Sequence, residues 1–258
     1  MRHLFPVGEV NGSHGVYRPG GSALNSGQCG SLRAAQYIAA RYGDAPLDER
    51  QFAAAVEAQV KQKTEMIAEL ASAGATLKAQ LGGATAPQLS SASDANISAE
   101  LVEYRRRLQA RMTAAGAHMR NLAKVTSALA DARTQLAQWS SVKAATPADL
   151  LYALKNRDAM IAQLVYLAAI EEYLRKGGTS RGSYMVLSKD GQLPCEGLGD
   201  DFRFVLGEDL LREKVSQAAY DAASGLVSVT WTDRRPIPGD NSWFENVWGD
   251  YRADKVIR

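Results

Sequence analysis

Only two cysteines and three histidines occur in the 258 residues of the chain. Cys29 and Cys195 are far apart in sequence, with no Cys-x-x-Cys or Cys/His spacing. That pattern argues against a metal site and fits free thiols in a reducing compartment. A dominant charge is lacking too: 30 Lys and Arg face 28 Asp and Glu, for a formal net charge of +2. The balance gives no bulk attraction to nucleic acid or an anionic membrane. No apolar run reaches the roughly 18 residues of a membrane span. The first ten residues, MRHLFPVGEV, are too short and too polar for a signal peptide. Neither G-x-G-x-x-G nor G-x-x-x-x-G-K-[ST] is present, so the dinucleotide and P-loop fingerprints are missing. The expectation is a cytoplasmic chain with no membrane span, no nucleic-acid partner and no metal.

What the chain does have is a loop built for close approach. Residues 8–34 read GEVNGSHGVYRPGGSALNSGQCGSLRA, rich in Gly and Ser and directly ahead of a helix-forming run. Glycines let a backbone approach a ligand, and a helix start offers free N–H groups to an anion or a polarised carbonyl. Glu9 follows a short apolar strand expected over residues 4–7. A carboxylate there either accepts from a ribose hydroxyl pair or is an ordinary solvated side chain. Pro19 biases Arg18 to an extended conformation, presenting a planar fork to a carboxylate or phosphate; the alternative is pairing with a nearby Asp or Glu. His14, four residues earlier, either helps bind substrate and move a proton or is a surface residue. Gly20-Gly21-Ser22-Ala23-Leu24 enters the helix.

Four regions differ in character. Residues 1–42 hold the strand candidate, the loop, and a helix starting near Ser22 with Leu24, Leu32, Ala35, Ile38 and Ala39. Residues 43–97 hold a second helix, with Phe52, Val56, Val60, Ile67 and Leu70 near helical spacing, then an Ala/Ser/Gly-rich linker. Residues 98–178 form a helical bundle. Its first helix is expected to be capped by Ser98 and to carry Leu101, Tyr104, Leu108, Met112 and Ala115, with Gly116 breaking or bending it. Next come Leu122, Val125, Leu129, Ala132, Leu136 and Trp139. Thr146-Pro147 then opens a helix with Leu150, Leu154, Ile161, Leu164, Val165, Ala168 and Ile170, ended by Lys176-Gly177-Gly178. Residues 179–258 hold a strand over 184–187, a turn at Lys189-Asp190-Gly191, a hairpin of residues 215–220 and 226–232, and an aromatic tail. The fold class is α+β, mainly helical.

Taken together these residues resemble the fumarate reductase/succinate dehydrogenase flavoprotein family, which includes L-aspartate oxidase. The likeness rests on Gly8-Glu9, His14-Gly15, Arg18, Gly20 and Ser22-Ala23-Leu24, and more loosely on a helical bundle followed by Ser180-Arg181-Gly182. It implies the tail of an FAD-binding domain followed by a C-terminal helical domain. It further implies an FAD-dependent oxidoreductase acting on a small carboxylate substrate. On that likeness Glu9 binds the FAD ribose, while Ser22, Ala23 and Leu24 turn backbone N–H groups to the flavin ring. Arg18 clamps the substrate carboxylate, His14 lies near the substrate, and Arg181 is mainly structural. The family's G-x-G-x-x-G unit, capping domain and proton-donating Arg have no counterpart here. The expectation is therefore a C-terminal portion, inactive alone and dependent on a missing FAD-binding half or partner subunit. The alternative from another class is a helical protein-interaction module or a subunit of a split flavoenzyme.

Overall fold

A computed structural model describes residues 4–11, 22–43, 47–71, 97–207, 210–234 and 243–255. The chain is mainly helical with two small sheets. It divides into two compact units, residues 1–54 with 235–258, and residues 55–234.

In the first unit, residues 4–7 have no regular secondary structure, which corrects the expected strand. A strand needs a ladder partner, and none of their backbone groups is paired among the described residues. A 3-10 turn, Gly8–Asn11, follows. Helix α1 spans Ser22–Arg41. Helix α2, Glu49–Leu70, begins in this unit. Its start is a reciprocal capping box: Gln51 N–H donates to Asp48 Oδ1 at 2.8 Å, and Asp48 N–H donates to Gln51 Oε1 at 3.1 Å.

The second unit has the hydrophobic core. Helices α3 (Ala99–Ala115), α4 (Leu122–Ala137) and α5 (Pro147–Arg175) pack together. Leu101, Tyr104, Leu108 and Ala115 are buried on α3, Val125, Leu129 and Ala132 on α4, and Leu150, Leu164, Ala168 and Ile170 on α5. These are expected positions, because an apolar stripe repeating every three or four residues has one side to bury. The end of α2 joins them through Leu70 and Ala71, and Ala144 N–H donates to Leu70 O at 2.7 Å. Phe52 and Val60 do not: both are exposed, since only the last turn of α2 meets the bundle.

The helix ends follow their capping chemistry. Thr146 Oγ1 accepts from Asp149 N–H, with Pro147 at the first helical position. Gly116 terminates α3. At the end of α5, Gly178 N–H donates to Tyr173 O and Gly177 N–H to Leu174 O, a Schellman motif with Gly177 at φ +81°. Ser98 precedes α3 as expected, but its side chain makes no cap bond. Its backbone N–H instead donates to Asp149 Oδ1 at 2.8 Å.

That bond is the first rung of a polar ladder between α3 and α5. Asp149, Asn156 and Gln163 recur every seven residues on α5, and all three are buried. Asn156 Nδ2 donates to Leu101 O at 3.0 Å and Gln163 Nε2 to Leu108 O at 2.7 Å. Their oxygens accept from Arg105 Nε and Arg111 Nη1 at 2.7 and 2.6 Å. The pairing advances in the same direction on both helices, so α3 and α5 run parallel. Each rung works at one axial offset only, because buried polar groups must find partners.

Two sheets complete the unit. Strand β1 (Met119–Arg120) pairs in parallel with β2 (Met185–Gln192), Met119 opposite Met185. Strands β3 (Lys214–Tyr220) and β4 (Val227–Asp233) form the expected antiparallel hairpin, which packs on α5. Val227, Val229 and Trp231 alternate half-buried along β4, the period-two pattern of one covered face. Asp221 closes its loop by accepting from the Ala223 and Ser224 amides and the Ser224 hydroxyl. The Ser224 hydroxyl bond, then these amides, hold its carboxyl below the usual range. Lys189-Asp190-Gly191 is not a turn; it lies within β2. A Cβ at Gly191 would collide with the Phe204 backbone, so this glycine serves close strand approach.

Candidate functional site

The candidate site gathers where residues 4–11 meet α1. Phe5 packs with Tyr37 and Tyr42, ring centroids 5.7 and 6.1 Å away. A Cβ placed on Gly30 would come within 3.2 Å of Val7 Cβ, and one on Gly8 within 3.5 Å of Gly27 Cα. Residues 5, 7 and 8 thus meet the helix at 37, 30 and 27 in turn. The segment runs antiparallel to α1, toward its N-terminus. Glycines 27 and 30 make the notch that lets the backbone lie close. Gly8 itself is buried at φ +73°, a left-handed conformation that a side chain would strain.

At 1.5 Å per residue, Gly27 is roughly 7.5 Å along the axis from Ser22. Gly8 thus meets α1 within the first two turns of the described helix, and Glu9 is the next residue of the turn Gly8–Asn11. The first N–H groups of a helix have no intrahelical acceptor and sit at the positive end of its dipole. Glu9 is exposed, Ala23 half-buried and Leu24 77% exposed. The first unit carries a carboxylate at Glu9 and backbone donors at Ser22–Leu24. His14 and Arg18 lie outside the described residues.

Helix α1 is apolar on two faces. At 3.6 residues per turn, Ala23, Gly27, Gly30, Ala34 and Tyr37 form the face toward residues 4–11. Leu24, Leu32, Ala35 and Ile38 form a second face, and all four are exposed. These are residues from which the sequence predicts the packing stripe, yet the small residues beside them carry the contact. Among described residues of the first unit whose burial is described, only Gly8 is buried. Val10, Leu47, Phe52 and Trp248 add to the uncovered apolar surface. The aromatic tail is a helix, α6, Trp243–Arg252, with Trp248 stacked on Tyr251 at 5.5 Å.

Ser180-Arg181-Gly182, in the second unit, acts locally. Arg181 Nε donates to the Tyr173 hydroxyl at 3.2 Å, and that hydroxyl donates to Thr179 O at 2.8 Å. Ser180 Oγ accepts from Val186 N–H at 2.8 Å. The group ties the exit of α5 to β2. Nearby, Arg120 lies over the Tyr184 ring at 3.9 Å. Burial, then the bond with Tyr173, push the Tyr184 phenol well above its ordinary value. The sequence reading missed Tyr173 and Tyr184 as the arginines' partners; nothing in their spacing marks the contact.

Among the described residues no group of three or more His, Cys, Asp or Glu is placed to hold a metal ion. No described helix is long and apolar enough to cross a membrane. No family model matches the chain, and no curated protein matches it.

Proposed function

We propose that this chain is one part of an FAD-dependent oxidoreductase acting on a small carboxylated substrate, and that it is incomplete by itself. The observation that carries the reading is the packing of residues 5–8 on α1: it lays the segment bearing Glu9 along the helix that opens with Ser22–Leu24, on a unit with its apolar faces uncovered. Residues 4–7 offer unpaired backbone groups beside that helix, which suits a further strand next to them.

The donor set fits one half of a flavin site. Glu9 would accept hydrogen bonds from the ribose hydroxyls. The backbone N–H groups of Ser22, Ala23 and Leu24 would favour negative charge on the ring's N1/C2-carbonyl side. Bound FAD supplies hydride transfer at its N5 position. Arg18 would orient the substrate by a bidentate bond to its carboxylate, with His14 beside it. A pyrophosphate site is the part that a partner polypeptide or further segment would supply, since the chain lacks G-x-G-x-x-G.

The test has two arms. The isolated chain should purify with little or no flavin; tight, stoichiometric FAD in that preparation overturns the claim of an incomplete site. The chain captured with its native partner should carry flavin. In that assembly Arg18→Ala should lower kcat/KM for the carboxylate substrate by about a hundredfold or more. Turnover close to wild type removes Arg18 from the clamp. The uncovered apolar faces equally favour a second reading, a helical protein-interaction module. A captured complex without flavin decides for that alternative.

A further inference from the structure

The second unit contains an open cleft of about 420 Å³ that none of the residues in the flavoprotein-like motifs lines. It is lined by β1, by the middle of β2 and by the start of α4. There β1 gives way to Asn121, whose side chain caps α4 by accepting from Lys124 N–H at 3.3 Å. Met119 and Leu187 line the cleft. Met119 pairs with Met185, and Leu187 is two residues on, so both lie on one face of the sheet. Ser188 and Lys189 line the cleft as well.

Arg203 also lines the cleft, and it is paired with a carboxylate. Its Nε donates to Asp200 Oδ1 at 2.7 Å and its Nη1 to Gly191 O at 3.0 Å. That pair is internally neutral. Lys124 and Lys189 line the cleft, and neither has an ion-pair partner among the described residues. The Ser188 hydroxyl, also in the lining, makes no bond among those residues. Asp201 is the one remaining carboxylate. Two uncommitted ammonium groups against one carboxylate leave the cleft an excess of positive charge over an apolar floor.

We propose that this cleft binds a small organic anion, its carboxylate or phosphate head held between Lys124 and Lys189 and its apolar body on Met119 and Leu187. The site is separate from the one at α1 and does not depend on the flavoprotein reading. The lysines are exposed, so the expected dissociation constant is on the order of 1 mM.

The experiment titrates the full chain with phenyl phosphate, benzoate and benzyl alcohol, following the backbone amides of Lys124, Ser188 and Lys189 by NMR. Saturable shifts with one or both anions, and none with the alcohol, are expected; the tighter anion identifies the head group. Lys124→Gln with Lys189→Gln should weaken binding about tenfold. Lys155→Gln, an exposed charge change outside the cleft, should leave it unchanged. Lys189→Gln alone gives the same readout with a smaller shift if the double variant does not fold. Equal binding of benzyl alcohol, no saturation by either anion, or full affinity in the lysine variants overturns the proposal.

Discussion

Replacing Asn156 by Ala tests the polar ladder that aligns α3 with α5. Asn156 is fully buried and makes two bonds, Nδ2 to Leu101 O at 3.0 Å and Oδ1 from Arg105 Nε at 2.7 Å. The first is a neutral bond worth about 1 kcal/mol net. The second has a charged donor, for which about 1.5–3 kcal/mol is usual. That figure is reduced here to about 1 kcal/mol, because half-buried Arg105 regains water and keeps its stack on Tyr152 at 3.9 Å. The emptied space adds about 0.5–1 kcal/mol. The sum is a loss of about 2.5–3 kcal/mol, read as a lower urea midpoint at unchanged slope in the helical circular dichroism signal. Combined with Arg105→Ala, the cycle should show about 1 kcal/mol of coupling. A loss under about 0.5 kcal/mol, or strictly additive single changes, would refute the view that the ladder stabilises the bundle.

Two further predictions concern the same unit. Gly177→Ala should lower stability by about 1 kcal/mol, seen in the thermal midpoint, because φ is +81° there while nothing blocks the added methyl; an unchanged midpoint would remove the Schellman turn as its cause. Burial pushes the Tyr104 phenol up to about 12 from its ordinary value of 10.0. The folded protein keeps a proton that the unfolded chain releases, so this contribution is whole below the unfolded value and fades as pH rises toward the folded one. Tyr104→Phe should flatten the fall in urea midpoint between about pH 10 and about pH 12, and an equally steep fall contradicts the assignment.

Helix existence and capping were legible because they depend on neighbours in sequence. Thr146-Pro147, Lys176-Gly177-Gly178 and the alternation of Val227, Val229 and Trp231 each state a local geometry through residue type. The same local signals misled where a distant backbone intervened. Asp190-Gly191 reads as a turn until Phe204 passes beside it, and residues 4–7 read as a strand although no ladder partner lies against them.

The candidate site divides along the same line. The sequence by itself determined the chemistry on offer near α1: a carboxylate at Glu9, a helix start at Ser22, and glycines at 27 and 30. It also determined the apolar stripes of α3, α4 and α5, since helical periodicity is a property of the chain. Only the tertiary structure decided that Gly27 and Gly30 receive residues 7 and 8, and so that the segment bearing Glu9 lies along α1. It alone brought Asp149, Asn156 and Gln163 inside, and left Lys124 and Lys189 uncommitted around one cleft. The physical reason is that burial and pairing belong to neighbours in space: a polar side chain is interior when a carbonyl or guanidinium from another helix meets it, and sequence spacing on one helix does not specify that partner.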